Sequence, residues 1–495
     1  MSINGKSINR IYYRNTFLHI GHCQTLHYNN EFAENTDGIC YAIIDDRQSE
    51  IDILNMQNHI DYLKLDKIKC ISVIKYLPNI NKYTEKLLTQ CHAYIETLSG
   101  KKLNSDLNLD DLNQQCRIKI YNNKPNISED NNKYDRFSSY PHLQLQSKPF
   151  CEDMNTDILI GYTKFIRNKY VLVYIFDYII KTLDIILNVT DVVKTNNNDI
   201  SDENMIIFFK KYNNNKINYH DLKTYQIHGF KYSKKFPLTE DNYNDIRYLT
   251  LKGLQLRHIP SEVIKCFYKY GMQLGSIDIN QLYSICKSYL KLNCVRISGI
   301  VDPLKVIIDI NDNVTEYIKK PYNLSSDKEY LSPMSNILYI NKCDYGSVYT
   351  SGNISILKYA KLRYSSYIYC DDIEFISENG NTNINSISVK KIEEIKQTEL
   401  NPRDIRGGIP FVSSIYGTKP TIAKFIFPGW FYTGCNKIDL NITESIGYVD
   451  DFALKVDSYI YFERIGFFKY DNELSKKNKI HCFVCIISDE GINTY

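Results

Sequence analysis

Leu18-His19-Ile20-Gly21-His22, standing just after the apolar run Ile11-Tyr12-Tyr13, decides how the rest of this chain is read. The order implies a strand, a loop and a helix that opens on His-x-Gly-His. Such a helix start makes a phosphate site. Its first N–H groups point at the anion, the glycine lets a nucleobase approach the backbone, and the imidazoles donate to oxygens gaining charge. Far downstream, Lys231-Tyr232-Ser233-Lys234-Lys235 supplies cations for the remaining phosphates of a bound nucleotide. Either stretch alone is a weak signal; the ordered pair is a strong one.

Outward from the histidines, residues 38–45 (Gly-Ile-Cys-Tyr-Ala-Ile-Ile-Asp) form a continuous apolar run, as a parallel strand covered on both faces requires. Residues 51–63 and 84–98 carry apolar positions at helical spacing. Repeated strand–helix units imply a doubly wound sheet, which binds ligands at the carboxyl ends of its strands. From residue 98 to about 148 the chain turns polar and irregular, as an insertion between two halves of the sheet would. Residues 170–180 are expected to resume that sheet. The longest apolar stretch, 170–187, holds Asp177, Lys181 and Asp184 and is too interrupted to cross a membrane. Helices are expected after Pro260 and over 282–292. Beyond Gly299, short alternating runs at 305–310, 337–340, 361–369, 424–427, 459–462 and 480–487 are separated by turn residues, which points to β-barrels. The fold class is α/β plus β.

The 495 residues make room for roughly three to four domains of about 100–200 residues. A hydrophobic content of 43% is enough for several cores and excludes a disordered chain. With a formal charge of only +3, any nucleic-acid surface must be a local patch. The N-terminal residues lack the apolar core of a signal peptide, so the 14 scattered cysteines read as reduced thiols in a cytoplasmic setting. His481-Cys482-Phe483-Val484-Cys485 has no second ligand pair at zinc-site spacing, and no protein-held metal is expected. The forty-two tyrosines look like an AT-rich coding bias, which lowers the weight of any single one.

In order along the chain, these segments resemble the glutamyl/glutaminyl subfamily of class I aminoacyl-tRNA synthetases. Leu18 to His22 resembles the HIGH signature and Lys231 to Lys235 the KMSKS signature. Ile44-Asp45-Asp46 resembles the Phe-Asp-Asp after the second strand, and Asp245 to Leu254 the segment that follows KMSKS. Val301-Asp302-Pro303-Leu304-Lys305-Val306 resembles the entry into the barrels. Leu362-Arg363 with Tyr367-Ile368, and Tyr461-Phe462-Glu463-Arg464-Ile465-Gly466-Phe467-Phe468, resemble two barrel strands. Asp-Pro-Leu-Lys-Val, Phe-Glu-Arg-x-Gly and Phe411-Val412-Ser413 lean toward the glutaminyl member. There are departures. The Pro-x-Pro-x-Gly run before HIGH is absent, and the arginine shortly before Asp-Asp is Ile43. The Gly-Ile-Thr-His motif is not recognisable, with Thr182-Leu183-Asp184 as the nearest alignment.

The resemblance implies a Rossmann-type catalytic domain over 1–98 and 166–235 and an acceptor-end-binding insertion over 99–165. A helical connector over 236–299 and anticodon-binding β-barrels over 300–495 complete it. It implies ATP-dependent ligation of glutamine to its tRNA through an adenylate, with Mg²⁺ carried on ATP. Glutamate as the amino acid stays open, as does a tRNA-binding paralogue without ligase activity. His19, His22 and Lys234 are the expected catalytic residues. ATP would be held by His19, Gly21, His22, Lys231, Ser233, Lys234 and Lys235, which act more strongly as the loop closes. Asp45 and Asp46 would take the amino acid's α-ammonium, with helix capping as the alternative, and Tyr170 would line the pocket. Arg363, Arg406 and Arg464 would contact tRNA, arginine being suited to base edges and phosphates. A monomer that makes no membrane contact is expected.

Overall fold

The computed structural model describes residues 6–13, 16–47, 51–90, 92–97, 99–103, 109, 114–120, 158–166, 169–195, 217–222, 224–229, 239–309, 315–324, 326–345, 349–350, 353–354, 359–378, 381–392, 405–430 and 441–489. They form two compact units, 1–226 with 272–275, and 227–271 with 276–495.

The first unit is built on five parallel strands, β1 (Ile8–Tyr13), β2 (Ile39–Ile44), β3 (Ile68–Ser72), β9 (Asp191–Thr195) and β10 (Asn218–Leu222). Their order is β10-β9-β1-β2-β3. β1 therefore lies at the point where the strand order reverses, where doubly wound sheets bind ligands beyond the carboxyl ends of their strands. α1 (Cys23–Asn35) returns the chain from β1 to β2, and α2 (Ile51–Leu63) from β2 to β3. α3 (Val73–Thr89) begins directly after β3, with Ser72 as its N-cap.

The expected helix over 84–98 is instead the last turns of α3 followed by a strand, β4 (Ala93–Thr97). β4 opens a second, five-stranded sheet with β5 (Lys102–Leu103), β6 (Cys116–Ile120), β7 (Ile158–Ile166) and β8 (Lys169–Tyr174), in the order β5-β4-β6-β7-β8. All its pairings are antiparallel. β8, expected to resume the parallel sheet, thus closes the inserted one, and that sheet reaches past both ends of 99–165. The parallel sheet resumes only at β9, after α4 (Phe176–Ile186). One apolar core joins the two sheets: Ile43 of β2, Val73 and Ile80 of α3, Tyr178 and Leu183 of α4, and Ile95, Ile118 and Ile160 of the antiparallel sheet. Arg10 of β1 forks onto Asp184 of α4 at 2.7 and 3.0 Å, both side chains buried.

The second unit opens with the helices α5 (Glu240–Tyr243), α6 (Leu251–Leu256), α7 (Ser261–Leu274) and α8 (Asn280–Asn293). Thr250 caps α6 by accepting the Gly253 N–H, and a side chain at Gly253 would strike the Tyr248 carbonyl. Two seven-stranded sheets follow. One runs Cys294–Ile297, Tyr459–Phe462, Gly466–Tyr470, His481–Ser488, Thr421–Phe427, Thr443–Val449 and Gly299–Ile300. Its two edge strands are separated in the chain by Ser298 alone, so the sheet curls back on itself. The other runs Ile405–Ile409, Tyr359–Leu362, Tyr367–Glu378, Asn381–Ile392, Pro303–Ile308, Ile337–Asn341 and Val412–Ser413. Its edges are likewise joined through Pro410-Phe411. Each curled sheet encloses its own core, around Phe425, Phe462, Phe468 and Phe483 in one and Leu304, Val306, Ile340, Ile387 and Phe411 in the other. The run 361–369, read as one strand, is a turn between two: the Arg363–Ser366 loop brings Tyr359–Leu362 and Tyr367–Glu378 together as antiparallel neighbours. No described helix is long and apolar enough to cross a membrane. Every described cysteine is a free thiol.

Candidate active site

Beyond the carboxyl end of β1, His19 caps a single 3₁₀ turn, Ile20–His22, that runs straight into α1. The two histidines cap it reciprocally. His19 Nδ1 accepts the Gly21 N–H at 3.0 Å, and His22 Nδ1 accepts the His19 N–H at 3.1 Å. Their rings lie 4.0 Å apart between centroids. This is a capping box with two imidazoles in place of a hydroxyl and a carboxylate. Because each Nδ1 is an acceptor, the proton of each neutral ring sits on Nε2. Burial drives His22 down to about 4, and burial together with the neighbouring His22 holds His19 well below the imidazole range. Both are neutral donors near pH 7. The helix-start N–H groups expected to face phosphate are partly engaged: those of Gly21 and His19 lie inside the capping box, and that of His22 donates to the His19 carbonyl at 2.8 Å. Each ring thus carries its own N–H on Nε2.

Asp45 and Asp46 follow β2 at the same edge and do different things. Asp46 is buried; it accepts the Ser72 hydroxyl at 2.5 Å and the Ile74 N–H at 3.0 Å. It braces the start of α3, the capping alternative, and its carboxylate is taken up there rather than aimed at an amino acid. Asp45 remains part-exposed, its N–H fixed to the Tyr13 carbonyl at 3.0 Å. Its carboxylate meets Arg47 in a fork, Nε to Oδ1 at 2.6 Å and Nη2 to Oδ2 at 2.7 Å, while Arg47 Nη1 donates to the Tyr174 carbonyl at 2.8 Å. Arg47 went unremarked in the sequence, although it stands directly after the two aspartates. Tyr170 is elsewhere: it packs on Phe165 beside the β7–β8 turn, four residues, or about 13 Å of strand, from Tyr174. Tyr174 meets Arg47 through its backbone carbonyl, and its ring is buried against Tyr178.

A model of the catalytic domain of the class I tRNA synthetases for glutamate and glutamine matches residues 14–287, more than half of the chain. This chain belongs to that family. The cytoplasmic glutamine–tRNA ligase of Arabidopsis thaliana is 21% identical over 408 residues, covering 74% of this chain and 49% of the relative. The glutamine–tRNA ligase of Lupinus luteus is 22% identical over 413 residues, covering 74% and 50%. The chain spans about half the length of the curated relatives it matches. A solved glutamate tRNA ligase from Elizabethkingia meningosepticum aligns at TM-score 0.30 and 11% identity, over 48% of this chain and 52% of that one. That likeness is too slight to bear on the fold.

Within this class I synthetase chain, Thr182-Leu183-Asp184 lies buried in the middle of α4. Just past that helix Asn188 is left-handed (φ 53°), and Asp191 opens β9. Asn188 sits where glycine ordinarily ends a helix. Lys231, Ser233, Lys234 and Lys235 lie outside the described residues. Arg406 belongs to the edge strand Ile405–Ile409, and its side chain is likewise outside them. Arg363 and Arg464 do converge, about 4 Å from where a Cβ would stand on Gly408. They are engaged in opposite directions between the two curled sheets. Arg363 Nε lies 2.9 Å from Oε1 of the buried Glu463, and Arg464 Nη1 donates to Asp344 at 2.5 Å. Glu463 also takes the Tyr364 hydroxyl at 3.1 Å and faces Arg296 at 3.5 Å. These two arginines staple sheet to sheet, and their guanidiniums are paired where base reading was expected.

Proposed function

We propose that the chain ligates glutamine to its tRNA at the expense of ATP. The observation that carries this reading is the reciprocally capped His19/His22 turn at the switch strand of a class I catalytic domain. An oxygen of the glutamine carboxylate attacks the α-phosphorus, the bond to the β-phosphate oxygen breaks, and pyrophosphate leaves. A ribose hydroxyl at the tRNA end then attacks the acyl carbon and AMP departs. His19 and His22, neutral with the proton on Nε2, donate to the α-phosphate oxygens as charge develops there, and such uncharged donors need no deprotonation to act. Lys231, Ser233, Lys234 and Lys235 take the β- and γ-phosphates, Lys234 foremost. Gly21 leaves room for the adenine, and Asp45 receives the α-ammonium. Mg²⁺ supplies charge neutralisation on the phosphates. In this reading the ion would come bound to ATP.

In the same reading, the antiparallel sheet around 99–165 holds the acceptor end, 236–299 connects, and the curled sheets beyond 300 receive unstacked anticodon bases. Arg406 is the remaining arginine candidate there. The chain acts as a cytoplasmic monomer. ATP–pyrophosphate exchange with glutamine and with glutamate, each with and without tRNA, tests this. Exchange with glutamine alone upholds it, and exchange with glutamate alone reassigns the amino acid. One observation favours a second reading, a tRNA-binding paralogue without ligase activity: both aspartates of the pocket already have protein partners. Binding of tRNA with no exchange for either amino acid would select it.

A further inference from the structure

Asp46 is buried and committed to the start of α3, so of the two aspartates that close β2 Asp45 is the one left partly exposed, and its orientation is not left to itself. Arg47 grips both its oxygens at 2.6 and 2.7 Å and is held in turn by the Tyr174 carbonyl at 2.8 Å. The side chains of Arg47 and Asp45 are 22% and 13% exposed, open enough to meet a ligand. Ile43, just before the acidic pair, is wholly buried in the core and brings no charge. In this chain the cation comes from two residues downstream.

We infer that Arg47 is a positioning residue for amino-acid recognition, fixing the plane of the Asp45 carboxylate so that one acceptor site on each oxygen is presented to an α-ammonium. This rests on the proposed ligase function. A planar guanidinium holding two oxygens at once defines direction, which an ammonium on a flexible stem does not. The opposite effect is physically available: Arg47 partly neutralises Asp45, and if charge alone governed binding, removing Arg47 would strengthen it.

The test is ATP–pyrophosphate exchange by the full chain, with tRNA present, for Arg47→Met and Arg47→Lys. Both variants are expected to raise the glutamine KM at least tenfold, with kcat within about threefold of wild type and the ATP KM unchanged. A glutamine KM that stays constant or falls while only the melting temperature drops makes Arg47 a structural ion-pair partner and overturns the inference. Full recovery in Arg47→Lys overturns it too, because charge without the fork then suffices. If the wild-type chain exchanges nothing, the ligase reading fails, and calorimetric titration with glutamine decides this one. Binding weakened at least tenfold by Arg47→Met upholds it. Equal affinity, or no binding by wild type, overturns it.

Discussion

Replacing His22 with asparagine should flatten the acid limb of the stability curve. In the unfolded chain an imidazole takes up its proton below about 6.5. In the folded chain burial delays this for His22 to about 4. Between these values the unfolded state holds more protons, so stability rises with pH, is complete above about 6.5, and is lost as pH falls through 4. The gap corresponds to about 3 kcal/mol in all, of which about 2.5 kcal/mol is gone by pH 4.5. Asparagine cannot titrate, and its Oδ1 can still accept the His19 N–H, so the cap survives. The variant also relieves His19, whose depression is due to burial first and to His22 second, which flattens the curve further. Urea unfolding of both proteins in steps from pH 7.5 to 4.5 measures this: their stabilities should converge or cross as pH falls, by at least about 2 kcal/mol. Parallel curves would mean that His22 titrates alike in the folded and unfolded chain and would refute its lowered titration.

Lys234→Ala should lower pyrophosphate exchange by about 2–4 kcal/mol of transition-state stabilisation while sparing tRNA affinity, since its contact strengthens only as charge builds on the leaving phosphates; equal losses in both would remove the loop from the chemistry. Asp46→Ala should cost about 2 kcal/mol in urea unfolding through the lost bonds to Ser72 and Ile74, and a raised glutamine KM without lost stability would return Asp46 to the pocket. Glu463→Gln should lower the melting temperature of the second unit by an amount equivalent to about 2–3 kcal/mol, because it leaves Arg296 and Arg363 facing a neutral partner; an unchanged melting temperature would mean the two arginines are held by something else.

The parallel half of the first unit was legible at β2, which lies inside the sheet: residues 39–44 have no charged side chain to confuse the pattern, and α2 begins and ends where its apolar spacing does. The boundary after α3 was not. Helical spacing runs on through Leu87 and Leu88 toward Tyr94 and Ile95, and no glycine or proline marks the break at residues 90–92. β8 looked like a strand of the main sheet because Tyr170 to Tyr174 is apolar; its antiparallel partner β7 is a hairpin neighbour that only pairing reveals. At the site, His-x-Gly-His announced itself by composition, but the tautomers follow from which nitrogen caps which N–H. Tyrosine is too common in this chain for composition to tell one from another, and an arginine beside an acidic pair carries no signal of its own.

The resemblance to the synthetase family is clearest in the second unit at Phe462 to Gly466, and the geometry there explains why without any appeal to base reading. Arg464 is left-handed (φ 66°) in the turn between two strands and reaches Asp344, while Glu463 gathers Arg296, Arg363 and Tyr364. Gly466 is at φ 147°, and an added Cβ would stand 2.4 Å from the Ile487 carbonyl oxygen; Phe462 fills the space a side chain on Gly299 would need. Each of these residues answers to several others, so a single substitution strands a buried charge or forces backbone apart. The Asp45–Arg47 pair has no such entanglement. The barrel motifs therefore speak for the fold, because each of their residues packs against or pairs with several others.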